Sequence, residues 1–209
     1  MKTNSEIRHI AVEKLSGNWG IGACITIVYG LIYNWPNIPR VTDSLGITSS
    51  LGILSILLLP IVYGYEISYL EMVRGKKLDF SMLFEGFKDY GRILGTTLLV
   101  AIYTLLWTLL LIIPGIIKAY SYSMTSFILK DNPELQYNGA IDKSMEMMRG
   151  KKMKLFILDL SFIGWAILSL FTLGIGFLFL SSYIQSSHAV FYEELKNELT
   201  PHSVEIIEE

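Results

Sequence analysis

The chain has 209 residues, 52% hydrophobic and 17% charged, with a mean hydropathy of +0.46. That apolar share exceeds an ordinary soluble domain's, and a formal net charge of −2 excludes the basic balance of a nucleic-acid binder. One cysteine, Cys24, excludes an internal disulfide and a Cys-cluster metal site, while His9, His188 and His202 lack ligand spacing, so neither metal nor cofactor is expected.

The first element is an amphipathic helix carrying Ile7, Ile10, Ala11 and Leu15 on one face. Ile21-Gly22-Ala23-Cys24 looks like a lipoprotein cleavage box, but Lys14 to Asn18 places no apolar stretch ahead of it. Cys24 therefore reads as a small helix-packing residue. Six apolar runs follow along the chain: Trp19–Tyr33, Leu51–Val73, Ile93–Ile113, Ile116–Leu129, Leu155–Phe171 and Gly174–Phe191. A hydrocarbon core about 30 Å thick takes about 20 helical residues to cross. The fourth run is the shortest and carries Lys118, Tyr120 and several hydroxyls, so it reads as either a span or a shielded re-entrant helix.

Two further amphipathic helices are expected between the runs. Asp79–Tyr90 has an Asp79 cap and the stripe Phe80, Leu83, Phe84, Phe87; Pro133–Met148 has an Asn132 cap and the face Tyr137, Ile141, Ser144, Met145, Met148. Helices of this kind lie in the headgroup plane beside Lys and Arg. All basic residues except Arg40 and Lys118 fall in alternate connections or at the termini. The positive-inside bias then places both termini in the cytoplasm and the Asn34–Ser50 loop, the Pro114-Gly115 turn and the Thr172–Gly176 turn outside.

The fold class expected is an all-α, polytopic membrane helical bundle: one integral membrane domain over 1–209 with about six spans. These form three hairpins, each preceded by an amphipathic interfacial helix, with repeats over 5–73, 79–129 and 133–195. The repeat reading rests on Gly17, Gly91 and Gly150 as helix C-caps. It rests equally on Tyr65, Tyr122 and Tyr183, each with a hydroxyl three residues later at Ser68, Thr125 and Ser186.

Ionisable groups inside spans cost about 2.5–3.5 kcal/mol, which makes them candidates for function. Glu66, Asp159 and His188 lie at similar depth near the basic end, and with Tyr122 and Tyr183 they form the candidate ligand-binding set. Ser123, Ser161, Gln185, Ser186 and Ser187 would add a hydrogen-bonding interior; Lys118 reads as an outer-interface anchor. The competing bland interpretation is that Asp159 and His188 snorkel to the interface and Glu66 pairs with a basic neighbour.

Several ordered motifs give the chain a resemblance. Leu105-Leu106-Trp107, Ile112-Ile113-Pro114-Gly115-Ile116-Ile117-Lys118, Tyr120-Ser121-Tyr122-Ser123-Met124 and Asp131-Asn132-Pro133 are among them. So are Met147-Met148-Arg149-Gly150, Leu158-Asp159-Leu160-Ser161-Phe162-Ile163-Gly164-Trp165 and Phe191-Tyr192-Glu193-Glu194-Leu195. Together they resemble the bacterial membrane-protein family catalogued as domain of unknown function 975. Ser182 departs from the Pro that many relatives carry before the equivalent of Tyr183. The resemblance implies a bacterial plasma-membrane protein of six or so spans and supplies no activity.

Three functions are weighed. A non-enzymatic membrane protein binding a lipid, a peptide or a membrane-protein partner is favoured, with the lipid bilayer as its environment. A small transporter or channel using the polar intramembrane residues is the alternative. An enzyme is not expected, because no His/Glu metal pair, GxSxG or paired-aspartate motif is present.

Overall fold

The computed structural model describes residues 1–34 and 55–205, and among these every regular element is helical. In chain order they are α1 (Asn4–Leu15), α2 (Trp19–Asn34), α3 (Pro60–Val73), a 3-10 segment (Phe80–Phe87), α4 (Tyr90–Leu110) and α5 (Ile112–Tyr122). Then come α6 (Thr125–Asp131), α7 (Asn138–Met147), α8 (Lys152–Leu160), α9 (Ile163–Leu170) and α10 (Ile175–Glu205). Arg40 and all but the first residue of the expected external loop lie outside the described residues.

Ser55–Val73, Tyr90–Leu110 and Lys152–Leu170 are long and apolar enough to cross a membrane, and α1 with α2 meets that test as a pair bent by 94°. The bend falls at Gly17, whose φ of +80° is open to glycine at little cost. α1 starts at a capping box in which Thr3 and Glu6 satisfy each other's backbone N–H. Its stripe Ile7, Ala11 and Leu15 is buried against protein, chiefly α10, and not left for lipid.

Three antiparallel helix pairs can be read from their contacts. Gly22 and Thr26 of α2 meet Tyr69 and Tyr65 of α3, and Tyr29 stacks on Tyr65 with ring centroids 4.3 Å apart. α5 folds back on α4: Tyr122 lies over Tyr103, Lys118 over the Trp107 ring, and Gly115 against Thr108 so closely that a Cβ would overlap it. The turn is the single extended residue Leu111, three residues earlier than the Pro114-Gly115 turn expected, and Pro114 sits in the first helical turn where its missing N–H costs nothing. α10 folds back on α9 with Gly176 against Ser169 and Tyr183 edge-on to Phe162.

α3 is the centre of the molecule, and all of its residues except Val62 and Glu66 are buried. The 3-10 segment runs beside it because Gly64 and Gly86 let the two backbones touch: a Cβ on Gly64 would overlap the Leu83 carbonyl, and one on Gly86 the Pro60 carbonyl. This corrects the expected α-helix at Asp79–Tyr90. The Asp79 cap forms, accepting from Ser81 N–H at 2.7 Å, but Leu83 is the buried residue while Phe80 and Phe84 stay exposed.

Two more expectations shift. Gly91 lies inside α4 and is not a cap, whereas Gly17 and Gly150 have positive φ as expected. α7 begins at Asn138 and not at Pro133, because Tyr137 has φ +50° and gives its N–H to the Thr96 hydroxyl at 2.8 Å. Asn132 instead closes α6, its side-chain amide donating to the Ile128 carbonyl at 2.9 Å.

Candidate functional site

Nine residues after each of Tyr65, Tyr122 and Tyr183 stand Arg74, Asp131 and Tyr192, and these three residues bond to one another. Arg74 donates both terminal nitrogens to the two Asp131 oxygens at 2.7 Å, its Nε reaches Glu193 Oε1 at 2.8 Å, and Tyr192 Oη donates to Asp131 Oδ2 at 3.0 Å. Lys196 Nζ adds a bond to Asp131 Oδ2 at 2.6 Å. Burial pushes the Asp131 carboxyl up, but Arg74, Lys196 and Tyr192 outweigh it and hold it at about 2. Burial opposes the Arg74 charge in the same way, yet Asp131 and Glu193 raise its affinity for the proton further. Beside this node Lys130 bonds Glu85 at 2.5 Å and lies 3.8 Å from Glu71, which also pairs with Lys76. The node ties α3, α6 and α10 together at their basic ends.

Away from the node, Glu66 and Val62, the two residues of α3 that burial spares, each border two cavities. One, of about 340 Å³, lies toward α2 and α10 with Thr26, Tyr29, Tyr65, Ser181 and Gln185 in its wall. The other, of about 270 Å³, lies toward α4, α5 and α6, with Thr97, Thr104, Tyr122, Ser123 and Ser126 in its wall. Hydroxyls in these walls give their protons to carbonyls one helical turn back: Ser123 to Tyr120 at 2.9 Å, Thr125 to Tyr122 at 2.7 Å, Thr26 to Gly22 at 3.0 Å. Ser123 and Thr125 thereby keep lone pairs for whatever occupies the space, whereas Thr26 Oγ1 is also bonded to Tyr65 Oη at 3.0 Å.

The five candidate residues fall into three places. Glu66 and Tyr122 share the second cavity. Asp159 and His188 form a pair of their own, His188 Nε2 to Asp159 Oδ1 at 2.6 Å, with Tyr120 Oη donating to the other Asp159 oxygen at 3.0 Å. His188 lies near enough to Glu66 to attract its charge, so the pair adjoins the carboxylate without lining its cavities. Tyr183 belongs elsewhere: its ring packs on Phe162 and Trp19 and lines an apolar cleft of about 380 Å³. A single cavity shared by all five is therefore corrected to a cavity pair, an ion pair and a separate cleft. Lys118 reaches over Trp107 at 5.0 Å and the Tyr122 ring at 5.9 Å, which makes it part of the α4–α5 packing.

The cleft runs between α1, α2, α9 and α10 and is walled by Val12, Trp19, Trp165, Leu168, Phe179 and Leu180. Sequence reasoning passed over Trp19 and Trp165 as ordinary span residues, though their indoles mark a ring-lined wall once α9 folds back on α10. It also passed over Ser126, Thr97 and Thr104. Ser126 lies four residues after Tyr122 and so on the same helix face, a signal that was readable. Among the described residues no three His, Cys, Asp or Glu side chains are grouped to hold a metal ion.

The chain belongs to the family described as Protein of unknown function (DUF975), which matches it over residues 1–121 and 108–198. No curated protein and no solved structure matches the chain.

Proposed function

We propose that this chain is a non-enzymatic, multi-pass protein of the bacterial plasma membrane that binds an acyl chain of a membrane lipid in the cleft between Trp19 and Trp165. In this reading six spans form three hairpins, α2–α3, α4 with α5–α6, and α8–α9 with α10, and both termini are cytoplasmic. Three antiparallel pairs support it, as do the equivalent contacts of Tyr65, Tyr122 and Tyr183 with an aromatic ring on the preceding helix, at 4.3, 6.5 and 5.0 Å. α5 and α6 together run from Ile112 to Asp131, which gives the fourth run the length of about 30 Å that a crossing takes.

One observation carries the ligand assignment: the cleft is apolar almost throughout and lies among the exposed Leu168, Leu170 and Phe171, side chains that would face lipid. An aliphatic chain filling such a slot passes from hydrocarbon to protein, so its gain is close packing against two indoles, and in a bilayer it is the species present in greatest excess. The test is photo-crosslinking of the full-length protein in membranes with a phospholipid bearing a diazirine on its acyl chain. Adducts should concentrate on the peptides carrying Trp19, Trp165 and Phe179. Equal labelling of the open α4 face, at Leu105, Leu109 and Leu110, would reject a specific site.

A further inference from the structure

We propose that Glu66 is the binding site of a monovalent alkali-metal cation, held between two cavities by its carboxylate and the surrounding hydroxyl oxygens. The inference starts from charge. Among the described residues that wall the two cavities, Glu66 is the one carboxylate, and none is Lys, Arg or His. His188 lies outside both walls, with its Nε2 2.6 Å from Asp159 Oδ1. Such a buried carboxyl takes either a proton or a cation of charge +1, and the Ser126 hydroxyl that bonds it, with the other oxygens of the walls, offers the cation a ligand set.

The walls favour a hard, oxygen-seeking ion. Ser123 and Thr125 give their hydroxyl protons to backbone carbonyls and keep lone pairs for the space, while Thr26 Oγ1, bonded to the Gly22 carbonyl, also meets Tyr65 Oη at 3.0 Å. One carboxylate among neutral oxygens matches a single positive charge, whereas a divalent ion held this way would keep most of its waters. Soft ligands are missing as well, since neither wall contains Cys, Met or His. Cavities of about 270 and 340 Å³ accommodate the ion with part of its hydration shell. Aromatic faces do not make this an organic-ammonium site, because Tyr29 is stacked between Tyr65 and Tyr33 and Lys118 already lies over Tyr122. With one cavity toward α2 and α10 and the other toward α4 and α5, an ion on Glu66 has space on both sides.

This site shares no wall residue with the lipid cleft, so the two proposals stand or fall separately. The test uses the full chain in nanodiscs, titrated with sodium chloride at ionic strength held constant with choline chloride, following the ²³Na linewidth and the melting temperature. Saturable broadening and a rise in melting temperature are expected in the native chain, with Glu66→Asp retaining binding. Glu66→Gln should weaken it by roughly 10- to 100-fold, the loss of a charge-assisted contact. Ser126→Ala, which keeps the charge, should weaken it by about 3- to 10-fold, as for one neutral hydrogen bond. Absence of saturable broadening in the native chain overturns the proposal, whatever the variants do. So does unchanged broadening in a folded Glu66→Gln chain. Stronger competition by magnesium or calcium than by potassium overturns the monovalent assignment, and an equal rise in melting temperature with choline alone overturns the inorganic one.

Discussion

Where Arg74, Asp131 and Tyr192 meet, side chains are ion-paired, the helices that carry them are largely buried, and three elements distant in sequence are locked together. At the other end, around Leu111 and Leu173, the helix hairpins turn with their apolar residues open: Phe171 is 82% exposed and Leu173 97%. In water the second end would be the weak one, since each such side chain forfeits about 1.5–3 kcal/mol of burial. Surrounded by hydrocarbon it costs nothing. Ionic cohesion is therefore concentrated at the charged end, while at the apolar end each turn is closed by its own contact, Gly115 on Thr108 and Gly176 on Ser169, and the cleft of Trp19 and Trp165 opens between α1–α2 and α9–α10.

The strongest break of this contrast is Arg74→Ala, which takes from Asp131 its two-nitrogen partner, leaving Lys196 and Tyr192, and from Glu193 the guanidinium bonded to it, and should cost about 3 kcal/mol in chemical unfolding from detergent. A loss below about 0.5 kcal/mol would mean that the node is surface decoration. Next in size is Gly64→Ala, about 2 kcal/mol from overpacking, because the added carbon meets the Leu83 backbone and not a side chain that can turn away. Its effect should be mirrored by Gly86→Ala at the Pro60 carbonyl.

Acid sharpens the same comparison. The Asp131 carboxyl titrates at about 2 in the folded chain, below the value of about 3.9 expected when unfolded. A depressed folded value stabilises the fold above the unfolded pKa, so this contribution is complete above about pH 4 and is lost as pH falls toward about 2. Unfolding midpoints measured between pH 6 and pH 2 should therefore fall more steeply for the native chain than for Asp131→Asn. Parallel curves would show that Asp131 is not the group being titrated. The smallest effect belongs to the far end: Leu173→Ser should change stability by no more than about 0.5 kcal/mol, and a large loss there would contradict the open apolar end.

Apolar length marked helices in the chain. Of the three hydroxyls placed three residues after a tyrosine, Ser68 and Thr125 return their protons to the tyrosine carbonyl, at 2.7 Å each, while the Ser186 hydroxyl is buried without a hydrogen-bond partner among the described residues. Ser187, one residue later, gives its proton to the Tyr183 carbonyl at 2.9 Å. What sequence patterns could not carry were contacts that only tertiary approach creates. Phe80–Phe87 has a helical stripe, but the glycines at 64 and 86 press it against α3 and tighten it to 3-10 geometry. Pro133 looks like a helix start until Thr96, 41 residues from Tyr137, takes that backbone N–H. The candidate site divided for a similar reason. Glu66, Asp159 and His188 share a depth, but Asp159 finds His188 across an interhelical contact 29 residues apart in sequence, while Tyr183 turns toward Trp19. Nothing in the sequence joins Asp131 to Glu193, because their common partner Arg74 is remote from both in the chain.

In the proposed reading a bilayer lies between the charged segments and the apolar turns. Single cysteines placed in a Cys24→Ser background, at Lys76 and Lys151 on one side and at position 43 and Thr172 on the other, test that directly with a membrane-impermeant maleimide. Labelling at 43 and 172 in intact cells, and at 76 and 151 only after permeabilisation, is the predicted result; labelling of 76 and 151 in intact cells would contradict it.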